Sequence, residues 1–354
     1  MARRLIGVLL GLLVCRGAVA GEHYVLKFAT LAPSGTSWMI VLSQWAKTVH
    51  ARSGGRLEIK LYPGGVAGDE SDVITKMRFG QLQGAALTGR GIGEIYFPAR
   101  VLELPFLFRN YAEVDYVRAR IMPQLRAGFR KNGFALIGWG EVGPVRLFSR
   151  KPVRTLQDMK KLRIWLWQGD PLARAFFSAA GLSPIPLSIT DVYTSLSTGL
   201  INTVYAPPLG AIAMQWFTQT KYVSGFPMAD AVAALVVRGR FYDRLPSGLQ
   251  RILSETGKVA GQRMIEASRE DNVRSLHTLR KYGLKFGPGW LHVDHRQFFT
   301  LRDRVIAKLE HRGLIPAALV RRVQDALHRY RAAHPGDDKP GAYFAPGAGV
   351  PALR

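Results

Sequence analysis

From Tyr24 to Thr88 the hydrophobic pattern switches repeatedly between a period of two and a period near 3.6, and that switching restricts the fold most. His23 to Thr30 reads as a strand, and Leu57, Ile59 and Leu61 alternate with Glu58 and Lys60 as a second one. Between them Trp38, Val41, Leu42, Trp45 and Val49 recur at helical spacing, with Ser34 or Thr36 available as N-cap and Gly54-Gly55 as the stop. Pro63-Gly64-Gly65 leads into a short helix carrying Val73, Ile74 and Met77, and Gly84 to Thr88 is a third strand. The grammar β-α-β-α-β predicts a largely parallel sheet with helices on both faces.

Gly89-Arg90-Gly91-Ile92-Gly93 follows that strand but lacks the G-x-G-x-x-G spacing of a dinucleotide turn. It reads as a loop at the carboxyl end of a strand, where open sheets place ligands, with Thr88 at its edge. Leu104 to Phe108 reads as core, Tyr111 to Lys131 as a helix and Phe134 to Trp139 as a strand.

A second unit repeats the grammar. Val145 to Ser149 reads as a new strand presenting Arg146, and Thr155 with Asp158 resembles a capping box. Helices follow at Pro171 to Ala180 and Thr190 to Gly199, the latter with Val192, Tyr193 and Leu196 inward. Strands follow at Pro184 to Leu187 and Ile201 to Ala206. Ala229 to Gly239 is a further strand, and Leu245 to Tyr282 is a helix long enough to cross a whole domain. The expected architecture is α/β, with two lobes, each a mainly parallel sheet flanked by helices, and the long helix spanning both. Lobe I takes 21–144 and about 229–255; lobe II takes 145–228 and about 265–330. Further helix is expected from Trp290 to Tyr330, and the Pro/Gly-rich stretch 331–354 reads as a disordered tail.

The first twenty residues are not part of that fold. Arg3 and Arg4, the apolar run Leu5 to Val14 and Ala18-Val19-Ala20 read as a signal peptide cleaved near Ala20, which places the protein in the periplasm. The single cysteine, Cys15, lies inside that segment, so the mature chain offers no disulfide, thiolate metal site or cysteine nucleophile. Removing Arg3, Arg4 and Arg16 lowers the formal charge from +24 to +21. The basic residues are spread along the chain without a cluster, which together with export argues against nucleic acid. No nucleophile elbow, zinc-binding helix, P-loop or paired carboxylate is present, His292 and His295 read as loop residues, and neither an enzyme nor a cofactor is expected.

One strand carries the chemistry. In Leu162-Arg163-Ile164-Trp165-Leu166-Trp167 a period of two sets Leu162, Ile164 and Leu166 on one face and Arg163, Trp165 and Trp167 on the other. A guanidinium between two indoles suits an anion with an apolar or ring-shaped body, and it suits equally a structural arginine stacked on tryptophan.

The chain resembles the TRAP-transporter solute-binding proteins, the dicarboxylate-binding-protein-like family. The resemblance rests on Phe28-Ala29-Thr30-Leu31-Ala32-Pro33, the Leu57 to Gly68 segment, Lys161-Leu162-Arg163-Ile164, Ser188 to Gly199 and Lys221-Tyr222. It implies a periplasmic-binding-protein-like fold whose two lobes close on an organic anion and deliver it to membrane subunits. It also implies that Arg163 grips the ligand carboxylate and that Arg146 is a second arginine contact. The family's D-G-x-E-N-P segment is here Asn202-Thr203-Val204-Tyr205-Ala206-Pro207, so Ala206 replaces the asparagine that would touch the same carboxylate. With Trp165, Trp167, Tyr205 and Trp216 adding aromatic surface, the expected ligand is a carboxylate with an apolar or aromatic body. A hydrophobic or lipid-like ligand passed on by a helical-repeat partner is the alternative.

Overall fold

The computed structural model describes residues 22–289 and 295–335. The signal segment, His292 and the stretch 336–354 lie outside the described residues. In chain order the elements are β1 (Tyr24–Thr30), α1 (Ser37–Arg52), β2 (Leu57–Tyr62), α2 (Glu70–Phe79), β3 (Gly84–Thr88) and α3 (Gly89–Tyr96). A 3-10 segment, Phe97–Glu103, leads to α4 (Tyr111–Lys131), β4 (Phe134–Ser149), α5 (Leu156–Met159), β5 (Trp165–Trp167) and α6 (Pro171–Ala179). Then come β6 (Ile185–Leu187), α7 (Val192–Ser197), β7 (Thr203–Ala206), α8 (Pro208–Ala213), β8 (Tyr222–Val223), β9 (Ala229–Arg238) and α9 (Gly239–Arg244). The chain continues with α10 (Ser247–Lys281), β10 (Lys285–Phe286), α11 (His295–His311) and α12 (Ala317–Ala333).

The first unit pairs in parallel as expected, β1 with β2 and with β3. The sheet continues through β9 and β4, both antiparallel to their neighbours. Instead of a break before Val145, β4 is one strand of 16 residues. Its first part pairs with β9 and its last four residues, Arg146 to Ser149, pair with β7. Pro144 and Gly143 suggest an end, but a bulge between Glu141 and Gly143 absorbs them. Asn272 steadies the bulge: Nδ2 donates to the Val142 carbonyl at 2.8 Å, while Oδ1 accepts from Leu209 N at 3.0 Å. Beyond the bulge, β8 and β10 extend the sheet, and β5 and β6 pair in parallel beside it.

α10 runs over 35 residues along β4. Its small residues allow the approach: a Cβ on Gly261 would stand 2.4 Å from the Trp139 carbonyl oxygen. On its other flank, Trp38 donates from Nε1 to Ser268 Oγ at 2.7 Å and Trp45 to Thr256 Oγ1 at 3.1 Å, seating α1. Arg269 ties three elements together, with Nη1 on Asp115 of α4 and Nη2 on the buried Glu141 of β4, each at 2.8 Å. Burial raises the Glu141 carboxyl, and Arg269 acts against that shift.

Two local expectations change. Residues 89–93 open helix α3 and are not a loop. The reason is Glu70, a buried carboxyl that accepts from Thr88 N and Gly91 N, both at 2.6 Å, and so satisfies the first amides of the helix. Gly89 is required there, since a Cβ would lie 2.0 Å from the Glu103 carboxylate. Further on, the regular helix starts only at Val192 after a 3-10 turn, so Val192 and Leu196 are buried whereas Tyr193 is 40% exposed. At the far end, α12 carries ordered helix to Ala333, three residues into the stretch read as tail.

Candidate functional site

Between the two sheets lies a cavity of about 220 Å³ with mostly apolar walls. One wall is aromatic. Trp165, 1% exposed, stacks on Tyr205 at 4.9 Å between ring centroids and meets Trp216 edge-on at 5.2 Å. Its Nε1 donates to the Leu187 carbonyl at 3.0 Å, and Trp167 N donates to the Tyr205 hydroxyl at 3.1 Å. These bonds satisfy the polar edges of both rings and leave their faces as apolar surface. Burial raises the Tyr205 phenol well beyond its ordinary range, so it stays neutral.

Six of the eight residues singled out in the sequence line the cavity: Thr88, Trp165, Trp167, Tyr205, Ala206 and Trp216. The two arginines do not. Arg163 lies two residues before Trp165, roughly 7 Å along an extended chain, and is exposed. Its Nε and Nη2 both donate to the Gly199 carbonyl, at 3.1 and 2.8 Å. The alternation of faces holds from Ile164 to Trp167, but the cavity-facing positions are the two tryptophans. Arg146 is buried and donates from Nη1 to the Ser224 carbonyl at 2.9 Å. Burial lowers its pKa to about 10.

The cavity wall instead carries Arg100, from the 3-10 segment. It holds Asp170 in a fork, Nη1 to Oδ1 and Nη2 to Oδ2 at 3.2 Å each, and pairs with Glu103 three residues on. Burial works against the guanidinium charge, but the two carboxylates more than offset it, and Arg100 stays charged. Both acids have further duties. Asp170 caps α6 by accepting from Leu172 N at 2.9 Å, and Glu103 accepts from Val232 N at 2.9 Å. Arg90, also on the wall, donates to Glu94, to Ser71 and to the Gln168 carbonyl at 2.8, 2.6 and 3.1 Å.

Asp230 on β9 differs from these. It is 1% exposed, lines the cavity, and neither carboxyl oxygen has a hydrogen-bond partner among the described residues. Sequence reading missed Arg100, Glu103, Asp170 and Asp230. The signals were an Arg-x-x-Glu pair just ahead of an apolar run and one acid inside the run Ala229–Val237.

The lobes meet at this cavity. Asp69, the N-cap of α2, accepts from Trp167 Nε1 at 3.1 Å, Ser188 Oγ at 2.6 Å and Ile189 N at 3.1 Å. With Arg90 on Gln168 and Arg100 on Asp170, these bonds join the first lobe to the stretch from Trp167 to Ile189. Among the described residues no group of three or more His, Cys, Asp or Glu is placed to hold a metal ion. Nor is any helix long and apolar enough to cross a membrane.

A cavity between two α/β lobes latched by side-chain bonds is the architecture of a ligand-binding protein. The chain belongs to the bacterial extracellular solute-binding proteins, family 7, whose family model matches residues 28–293. By family it is a solute-binding protein and not an enzyme. Over 266 residues it is 24% identical to the 2,3-diketo-L-gulonate-binding periplasmic protein of Escherichia coli, covering 73% of this chain and 80% of that one. The TRAP periplasmic solute-binding protein of Roseobacter denitrificans with bound β-D-glucuronate superposes with a TM-score of 0.79 at 17% identity, covering 85% of this chain and 99% of that one. The Desulfovibrio salexigens protein with bound orotic acid gives a TM-score of 0.78 at 19% identity, over 86% and 99%. At these identities the structural likeness concerns the fold.

Proposed function

We propose that this chain captures an organic acid with an apolar or aromatic body in the interlobe cavity and delivers it to TRAP membrane subunits from the periplasm. The lobes divide near Pro144 and Ala229 in this reading. The observation that carries it is the pairing of a stacked aromatic wall, Trp165 and Tyr205, with a buried guanidinium, Arg100, in one cavity. Arg100 takes the role that the sequence suggests for Arg163: a guanidinium has five N–H donors, and Asp170 and Glu103 leave part of that set for a carboxylate. Trp167, Trp216, Thr88 and Ala206 complete the surface against the ligand body.

A second reading has support from the ion pairs. Both cavity arginines are already matched by acids, Arg90 by Glu94 and Arg100 by Asp170 and Glu103, which suits an uncharged apolar solute. The helical-repeat partner that would accompany it gains no support from the relatives. A thermal-shift panel separates the readings, since saturating ligand at about 100 times Kd adds ~2.7 kcal/mol of stability. Aryl and alkyl carboxylates are expected to raise Tm, and their primary amides to do so far less. Equal shifts from acids and amides would favour the uncharged solute.

A further inference from the structure

Asp230 has no structural duty that the other cavity acids share. Glu103 and Asp170 each hold Arg100 and a backbone amide, whereas Asp230 accepts nothing from the described residues. It stands in the strand Ala229–Arg238, where Val232, Ala234 and Val236 alternate with it on one face and pack into the core. An aliphatic residue would serve the fold better there, because a buried carboxyl without a partner costs stability. The group nevertheless borders the cavity, two residues from the Val232 amide that anchors Glu103.

Resting on the organic-acid reading above, we infer that Asp230 is the second polar contact of the solute: in its protonated form it donates its O–H to the solute carboxylate that Arg100 attracts. A neutral carboxyl carries one donor, and an O–H to a carboxylate oxygen is a short, charge-assisted bond. Ala206, which also lines the cavity, has no side-chain donor to offer, and a protonated acid supplies one.

The surroundings favour that proton. Burial is the largest cause of the raised Asp230 pKa, and Glu141 of β4, Glu103 of the 3-10 segment and Asp115 of α4 add to it. Arg269 of α10 acts the other way, but its guanidinium is held by Asp115 and Glu141. Tyr111 of α4 faces the same group and stays a neutral phenol, raised by burial and then by Glu141 and Asp230. Arg146 acts on Tyr111, and Arg100 with Asp170 lines the cavity side. Solute capture on this arrangement is therefore tied to protonation, and it weakens as pH rises.

The test uses the full mature protein in two measurements. Infrared difference spectra of ligand-free wild type against Asp230→Asn at pH 7 are expected to show a protonated carboxyl band that the variant lacks. Its absence would overturn the inference whatever the protein binds. Titration with phenylacetate as probe from pH 5.5 to 8.5 is expected to give weakening affinity in wild type and a flat profile in Asp230→Asn, whose amide always donates. Asp230→Leu is expected to bind phenylacetate about tenfold or more weakly at pH 6, the scale of one charge-assisted hydrogen bond. Wild-type-like binding by the leucine variant, or tighter capture of phenethylammonium as pH rises, would also overturn it. If no carboxylate binds although the band is present, the organic-acid reading fails and the Asp230 proton stands.

Discussion

Trp167 Nε1 sits 3.1 Å from both carboxylate oxygens of Asp69, joining residues 98 apart in sequence across the cleft. The indole whose face borders the solute cavity thus uses its edge to hold the opposite lobe. Since Asp69 also accepts from Ser188 and Ile189, one carboxylate gathers three donors from across the cleft. Closure and the aromatic wall are parts of one construction.

Breaking that latch should shorten residence of the bound solute. Hydrogen bonds to a charged group contribute about 1.5–3 kcal/mol each, so Asp69→Ala should raise the dissociation rate of a bound acid about tenfold or more. Stopped-flow displacement, followed through tryptophan fluorescence, measures it. An unchanged rate would show that the contact does not hold the closed form.

Arg100→Met leaves Asp170 and Glu103 buried without their cation. The cost should be about 3–5 kcal/mol, as for other broken buried ion pairs, with carboxylate capture lost. Urea unfolding and calorimetric titration read the two effects separately.

Arg163→Ala should bind as wild type does, within about twofold, because the guanidinium caps Gly199 outside the cavity. Trp165→Ala, by contrast, should cost about 3–5 kcal/mol of stability, the usual range for removing a buried tryptophan. A large affinity loss in Arg163→Ala would return the carboxylate contact to that residue.

Glu70 makes stability depend on pH. Burial raises its carboxyl from 4.5 to about 7, even though Thr88 and Gly91 donate to it. A raised folded pKa means that the contribution is complete below about 4.5 and is lost as pH rises through about 7. The span corresponds to about 3 kcal/mol. Glu70→Gln should therefore gain on wild type by that order between pH 4.5 and 8 in urea-unfolding series.

Gly261→Ala should destabilise by about 1–3 kcal/mol, the range for overpacking, because the added methyl meets the Trp139 carbonyl oxygen. Guanidinium unfolding measures it. A neutral result would mean that α10 can move off β4 freely.

Much of this structure was legible in the sequence. Periodicity alone marked β1 to β3, the helix now seen at Ser247–Lys281 and the tryptophan face of β5. What escaped reading was long-range. Nothing local shows that Gly89 must clear Glu103, that Glu70 satisfies the α3 amides, or that a bulge carries β4 through Pro144. The site shared that divide. Aromatic positions could be read from alternation, whereas Arg100 and Asp170 meet only after 70 residues of intervening chain are folded. The motif containing Arg163 was recognisable, but its distance from the cavity depends on where the strand starts.

The pairing of β9 with β3 and β4 also orders events in time. Residues 84–88 find their antiparallel partners only at 233–237, after β4 to β8 have been made. The parallel pairs β1–β2 and β1–β3 can form early, but the sheet cannot be joined to β4 until β9 has been made. Contacts of such separation fold slowly. The three outer strands thus gain their connection to the long helix, which packs along β4, only through one late strand.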